Sequence, residues 1–272
     1  MNIAIIGGTH GNEPTGIEVV KFLGNENPQF KNSYKTFFAN PEAHKLGKRY
    51  VDSDLNRAFG KTGQSKGYES TRSSELEKEI VGNFDFVLDL HTTTSNMGPT
   101  VILTHLDEAS VRAACWLKEN NPELVIIISS RAGGDCPYTT SMASSGLTVE
   151  IGPVANNVVK AELVLLTHKL VTELLDFNFQ KTWEMKNIEC FHTQGIMSYP
   201  EGEWMVHPEV DGHDFLQVRE GDPLFINMKG EIVTHKGDPM YPLFINEAAY
   251  QENNTAFEYA LKTNLQAVLD RA

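Results

Sequence analysis

The chain has 272 residues, 40% of them hydrophobic and 22% charged, with a formal net charge of −13. That length suits one large domain or two unequal ones, while the acidic balance, with no run of Lys or Arg, argues against a nucleic-acid partner. No apolar stretch approaches the roughly 20 residues that span a bilayer, no basic leader precedes an apolar run, and Cys115, Cys136 and Cys190 are an odd, scattered set; a cytoplasmic protein with reduced thiols and no membrane partner is expected.

In chain order, "IAII" (Ile3–Ile6) has the length and branching of a buried strand, and Thr15–Phe22 follows with helical spacing, Pro14 standing at its first turn. "KTFFAN" reads as the next strand, and "SSELEKEI" has the charge spacing of an exposed helix. "FDFVLDL" (Phe84–Leu90), "TVILT", "LVIII" and Leu147–Ile151 are further β-branched runs of strand length, and Ala161–Leu175 is an amphipathic helix. Strands alternating with helices predict an α/β fold with a mixed, largely parallel sheet flanked by helices. After about Lys181, Gly, Pro and Asp become frequent between short alternating runs, the composition of a smaller β-rich domain with tight turns. The expected division is therefore 1–180 and 181–272, with a last helix over Ala256–Leu269 packing back on the first domain.

The polar residues that could carry chemistry fall at strand ends. His10 and Glu13 follow the first strand in "GGTHGNEPTG", His91 follows the strand Phe84–Leu90, and Glu150 closes "GLTVE". In open α/β sheets the C-terminal edge of the strands is where ligand crevices form. His10, Glu13 and His91 would make a His2Glu set suited to zinc with one position open, and Glu150 would then be free as a general base. On spacing alone a structural or surface histidine is the commoner reading, with the metal reading at about one in three. Arg49, Asp52, Asp54, Asn56 and Arg57 share the loop "RYVDSDLNRAFG"; Asn56 and Arg57 could fork onto a carboxylate, or the loop could be solvated with local Asp–Arg pairs. Asp89, two residues before His91 on the same strand face, is either a partner behind that histidine or a buried hydrogen-bonded aspartate.

Rival motifs fail. "FGKTG" holds the GKT of a phosphate loop but has Leu55 where the leading glycine belongs. "GGTHGNEPTG" does not fit GxGxxG, "HPEVDGHD" reads as a solvated turn, and there is no GxSxG elbow for a serine hydrolase.

"GGTHGNEPTG", "NPEAHKLGKRYVDSDLNRAF", "DLHTTTSNMG", "VEIGP" and "YPLFINEAAY" occur in order between residues 7 and 250. Together they resemble the aspartoacylase family, which is grouped with succinylglutamate desuccinylases and has a zinc carboxypeptidase-like fold. The resemblance implies one Zn2+ per chain on His10, Glu13 and His91, Glu150 as general base and acid, and Arg49 polarising the scissile carbonyl. It implies substrate binding by Asn56, Arg57, Tyr250 and Tyr138. The activity implied is deacylation of an N-acyl-L-amino acid, with N-acetyl-L-aspartate giving acetate and aspartate as the leading case. The alternatives are other N-acyl amino acids, neutral, aromatic or N-succinyl-glutamate, and a non-catalytic metal- or anion-binding module. A small-molecule substrate is the expected partner; members are often dimeric, but nothing in the sequence identifies an interface. Two departures bear on selectivity: no arginine follows shortly after Tyr138, and Asn253 and Asn254 stand where the family has lysines. Both are basic groups that the family uses on the aspartate side chain; whether Arg131 compensates is left open.

Overall fold

In the computed structural model, residues 1–25, 29–180 and 188–270 are described. β1 (Asn2–Gly7) shows why a sheet covered on both faces forms here. Ile3 and Ile5 point to one side and Ala4 and Ile6 to the other, and all four are fully buried. The first pair joins a core with Val19, Val20 and Leu23 of α1 (Pro14–Asn25), while the second packs on Leu76 and Ile80 of a helix on the opposite face. Each of these Ile, Val and Leu side chains removed from water contributes about 1.5–3 kcal/mol.

The remaining strands are β2 (Ser33–Phe38), β3 (Phe86–Thr92), β4 (Gly98–Leu103), β5 (Val125–Ile128), β6 (Ser145–Gly152), β7 (Glu189–Ser198), β8 (Trp204–Val206), β9 (Pro223–Asn227), β10 (Ile232–Thr234), β11 (Tyr241–Leu243) and β12 (Thr255–Asn264). The other helices are α2 (Pro41–Lys45), α3 (Gly67–Ile80), α4 (Glu108–Asn120), α5 (Ala161–Leu175) and α6 (Leu265–Leu269). α3 is the helix packed against Ala4 and Ile6. None of the described helices is long and apolar enough to cross a membrane.

Nine strands form one sheet in the order β11-β12-β7-β5-β4-β6-β3-β1-β2, and β10-β9-β8 form a second, antiparallel one. The large sheet is mixed and mostly parallel: β4 runs antiparallel to its neighbour β6, and β12 runs antiparallel to both β7 and β11. Three strands of the C-terminal segment thus extend the sheet begun by the N-terminal residues, and the small sheet packs on β12 through Val206, Phe225 and Phe257. The expected boundary at 180/181 borders residues 181–187, which lie outside the described residues.

One expectation is corrected. Ala256–Leu269 is not a helix: Thr255–Asn264 is strand β12, and only Leu265–Leu269 is helical. Ala, Leu, Lys and Gln in this stretch favour a helix, but β7 offers a long antiparallel partner, paired from Thr255↔Ser198 to Asn264↔Glu189. Both faces of the strand then find burial on either side of an irregularity at Tyr259/Ala260, Phe257 with the small sheet and Ala260 with Ile127 and Phe191. Tertiary pairing overrides a weak local preference. Leu265, at the start of α6, is buried in the large core.

Candidate active site

At the end of β1 the chain takes a turn that glycine permits. Gly8 has φ +71°, and a Cβ on Gly7 would run into the carbonyl of Gly16 in α1. The turn is closed by Glu13 N–H donating to His10 O at 3.2 Å, and by Gly11 N–H donating to Arg49 O at 3.0 Å. His10 and Glu13 are thereby held buried beside the loop that carries Arg49. β3 presents Asp89 and His91 on one face, and the parallel register of β3 with β6 sets Glu150 beside His91.

Three donor groups converge. Glu13 Oε1 lies 2.6 Å from His10 Nδ1, Glu13 Oε2 lies 3.1 Å from His91 Nδ1, and the two Nδ1 atoms are 3.1 Å apart. The outer nitrogens are held from behind: His91 Nε2 donates to Asp89 Oδ2 at 2.6 Å, and His10 Nε2 donates to Asp54 Oδ1 at 3.2 Å. With both rings neutral and their Nε2 protons so engaged, two Nδ1 lone pairs and a carboxylate face one another, an arrangement that a cation between them satisfies. The donor set, two neutral imidazoles and one carboxylate with carboxylates behind the rings, fits zinc. Among the described residues it is the one group of His, Cys, Asp or Glu with metal-ligand spacing.

Asp89 is wholly buried and also accepts from Thr9 Oγ1 at 2.7 Å and from Thr139 Oγ1. Both readings left open for it therefore hold: it is a buried hydrogen-bonded aspartate, and one of its bonds orients His91.

Burial opposes charge here, and neighbours decide the outcome. It works against ionisation of Glu13, but His10 and His91 outweigh it and hold that carboxyl well below the usual range. Burial likewise disfavours protonated His91, yet Asp89 and Glu13 raise its pKa well above the ordinary value. For Glu150, burial raises the carboxyl well above its usual value; Glu13 and Glu247 add to this, and His91 and Arg49 oppose it. A buried carboxylate with raised proton affinity suits a group that accepts a proton and later returns it.

The nine residues given a metal, catalytic or substrate-binding role in the sequence reading all line one cavity: His10, Glu13, Arg49, Asn56, Arg57, His91, Tyr138, Glu150 and Tyr250. Arg49 reaches Glu13 Oε1 through Nη1 and Asp54 Oδ2 through Nη2, each at 3.3 Å. Asn56 and Arg57 lie on a single 3-10 turn, Leu55–Arg57, started by Asp54 Oδ1 accepting from Asn56 N at 2.8 Å. Asn56 Oδ1 accepts from Thr139 N at 3.0 Å, which turns its amide N–H groups away from that contact. The Arg57 guanidinium sits over the Tyr138 ring, 5.0 Å from its centroid.

Several residues of the site carried no legible signal. Glu69, on α3 and wholly buried, accepts from the backbone N–H groups of Val51, Asp52 and Ser53 at 2.7, 2.9 and 3.2 Å, and from Asn40 Nδ2 at 3.2 Å. It pins the loop that presents Arg49 and Arg57. Glu247 ties the C-terminal segment to the turn after His91: its Oε2 accepts from Thr93 Oγ1, and from Thr94 N and Oγ1 at 2.8 and 3.0 Å. Glu258 of β12 also lines the cavity, and Tyr250 Oη donates to its Oε1 at 2.5 Å. Contacts of this kind cross between distant segments, and local spacing holds no trace of them.

Comparison with known proteins follows the same outline. The succinylglutamate desuccinylase/aspartoacylase catalytic domain matches residues 1–178, and the AstE/AspA barrel-sandwich hybrid domain matches residues 186–261. Aspartoacylase of Mus musculus is 32% identical over 97% of this chain and 94% of its own length. The N-acyl-aromatic-L-amino acid amidohydrolase (carboxylate-forming) of Homo sapiens is 33% identical over 94% of this chain and 88% of its own. The crystal structure of murine aminoacylase 3 superposes with a TM-score of 0.89 at 31% identity, covering 97% of this chain and 96% of that one.

Proposed function

From the premise that the chain belongs to the succinylglutamate desuccinylase/aspartoacylase family, we propose that it is a zinc-dependent amidohydrolase that cleaves an N-acyl-L-amino acid to a carboxylate and the free amino acid. The observation that carries this reading is the convergence of His10 Nδ1, His91 Nδ1 and the Glu13 carboxylate beside buried Glu150. His10, Glu13 and His91 would hold the zinc, which when bound supplies a Lewis acid and brings the pKa of water towards neutrality. N-acetyl-L-aspartate, implied by the motifs, is one candidate amide, and the N-acyl-aromatic amino acids named for the human relative are another.

Each residue of the chain then has a task. Glu150 takes a proton from the attacking water and passes it to the leaving nitrogen, so that the amine departs neutral. Arg49, fixed by Glu13 and Asp54, keeps N–H groups for the carbonyl oxygen on which negative charge develops. Arg57, braced on Tyr138, and the Asn56 amide hold the α-carboxylate and fix the amide relative to Glu150. Asp89 and Asp54 keep the two imidazoles in the tautomer that turns Nδ1 inward.

The test is Glu150→Gln. The variant should load zinc as the wild type does while turnover of N-acetyl amino acids falls by at least about a hundredfold. A variant that keeps most of its turnover would show that Glu150 is not the base. His91→Ala should leave the protein without zinc after dialysis, read by elemental analysis.

A further inference from the structure

The lining of the cavity has more acid than the reaction uses. Four carboxylates face two guanidiniums there: Glu13, Glu150, Glu247 and Glu258 against Arg49 and Arg57. Glu13 and Glu150 belong to the metal group and its base, and Glu247 is occupied by Thr93 and Thr94. Glu258 serves none of these. It projects from β12 opposite Leu243 of β11, and its one hydrogen bond among the described residues comes from Tyr250 Oη to Oε1. Burial raises the Glu258 carboxyl above its ordinary value, the Tyr250 hydrogen bond and the nearby Arg57 and Arg131 oppose that rise, and neither guanidinium reaches ion-pair distance. An enclosed carboxylate with an acceptor oxygen to spare needs a donor, best a charged one.

The surroundings say what shape that donor has. Ile102, Ile127 and Phe244 line the same cavity and form one apolar cluster with Tyr250, the residue bonded to Glu258. An aliphatic stem laid along this wall buries its methylenes, with its head at the carboxylate. A second substrate carboxylate would meet the opposite. On the deacylase reading Arg57 is engaged by the α-carboxylate and Arg49, held by Glu13 and Asp54, by the scissile carbonyl, and the Tyr250 hydroxyl already donates to Glu258. Like charges brought together in an enclosed site repel.

We propose that Glu258 selects the substrate side chain: the enzyme acts on N-acyl-L-amino acids whose side chain is an aliphatic stem ending in a cationic group. This rests on the deacylase reading above and names its substrate class.

The experiment compares kcat/KM of the zinc-loaded enzyme for N-acetyl-L-lysine, its uncharged counterpart N-acetyl-L-norleucine, N-acetyl-L-aspartate and N-acetyl-L-phenylalanine. The lysine derivative should exceed the norleucine one by at least about tenfold, with the aspartate derivative poorest. In Glu258→Gln the lysine-to-norleucine ratio should collapse towards one. Equal rates for lysine and norleucine, or a wild-type preference for the aspartate or phenylalanine derivative, overturns the charge selection and leaves the deacylase reading standing. No hydrolysis of any of the four fails the deacylase reading itself, and the selection with it.

Discussion

Asp89→Asn isolates the part of the site that orients a ligand without touching the metal. The wild-type carboxylate is fully buried and accepts three hydrogen bonds, from His91 Nε2 at 2.6 Å, Thr9 Oγ1 at 2.7 Å and Thr139 Oγ1. Asparagine keeps the volume but offers one acceptor oxygen and an NH2 group. If the NH2 faces His91, the imidazole proton moves to Nδ1 and a metal donor is lost. If it faces a threonine, the hydroxyl can rotate to accept, and only the negative charge behind His91 is lost. Replacing such a partner costs roughly 10–100-fold in metal affinity, about 1.4–2.7 kcal/mol. Zinc affinity would be measured by competition with a chromophoric chelator, and stability by urea unfolding with and without excess chelator. The zinc dissociation constant should rise by that factor, and the stability gained on adding zinc at fixed concentration should shrink in step. A folded Asp89→Asn protein whose zinc affinity stays within about threefold of wild type would refute the idea that Asp89 sets the His91 tautomer.

Two further outcomes follow from other buried groups. Glu69→Gln turns an NH2 towards two of the four N–H donors now accepted by the carboxylate; it should lower the unfolding free energy by about 2–4 kcal/mol in urea titrations and reduce kcat/KM through the Arg49–Arg57 loop. A loss below about 0.5 kcal/mol would mean that Glu69 does not anchor the loop. Burial pushes the Cys115 and Cys190 thiols up to about 12, so neither should react with a thiol reagent at pH 8 until urea unfolds the chain. Because the unfolded thiols ionise nearer their ordinary value of 9.0 while the folded ones keep their protons, these two groups lower stability as pH rises above about 9 and contribute nothing below it. Rapid labelling of either in the native protein would contradict their burial.

The cluster proposed to be catalytic is legible in the sequence because strand ends mark a place. His10, His91 and Glu150 each follow a short β-branched run, and the common edge of a sheet brings such ends together. What the runs do not encode is direction: "TVILT" reads like its parallel neighbours, yet β4 runs antiparallel to β6. Nor does the sequence mark an acid recruited inward. Glu69 reads as one more charge on a polar helix, and only the fold shows three backbone N–H groups turned towards it. Glu258 stayed hidden for a related reason, since its stretch has helical composition and only the pairing of β12 with β7 and β11 brings it to the cavity.

That shared sheet has a consequence for how the chain is made. β7 joins β5 through Ile127↔Phe191 and Ile128↔His192, so until the C-terminal third has been synthesised, β5 is an open edge of isoleucines. An unpaired apolar edge is a template for strand addition by another molecule. During translation the nascent protein passes through an interval in which its N-terminal part has no partner for the β5 edge, and the segment that covers that edge also delivers Tyr250 and Glu258. Truncation in this region should therefore yield aggregating material rather than a smaller working enzyme, and a slow ribosome here lengthens the exposure.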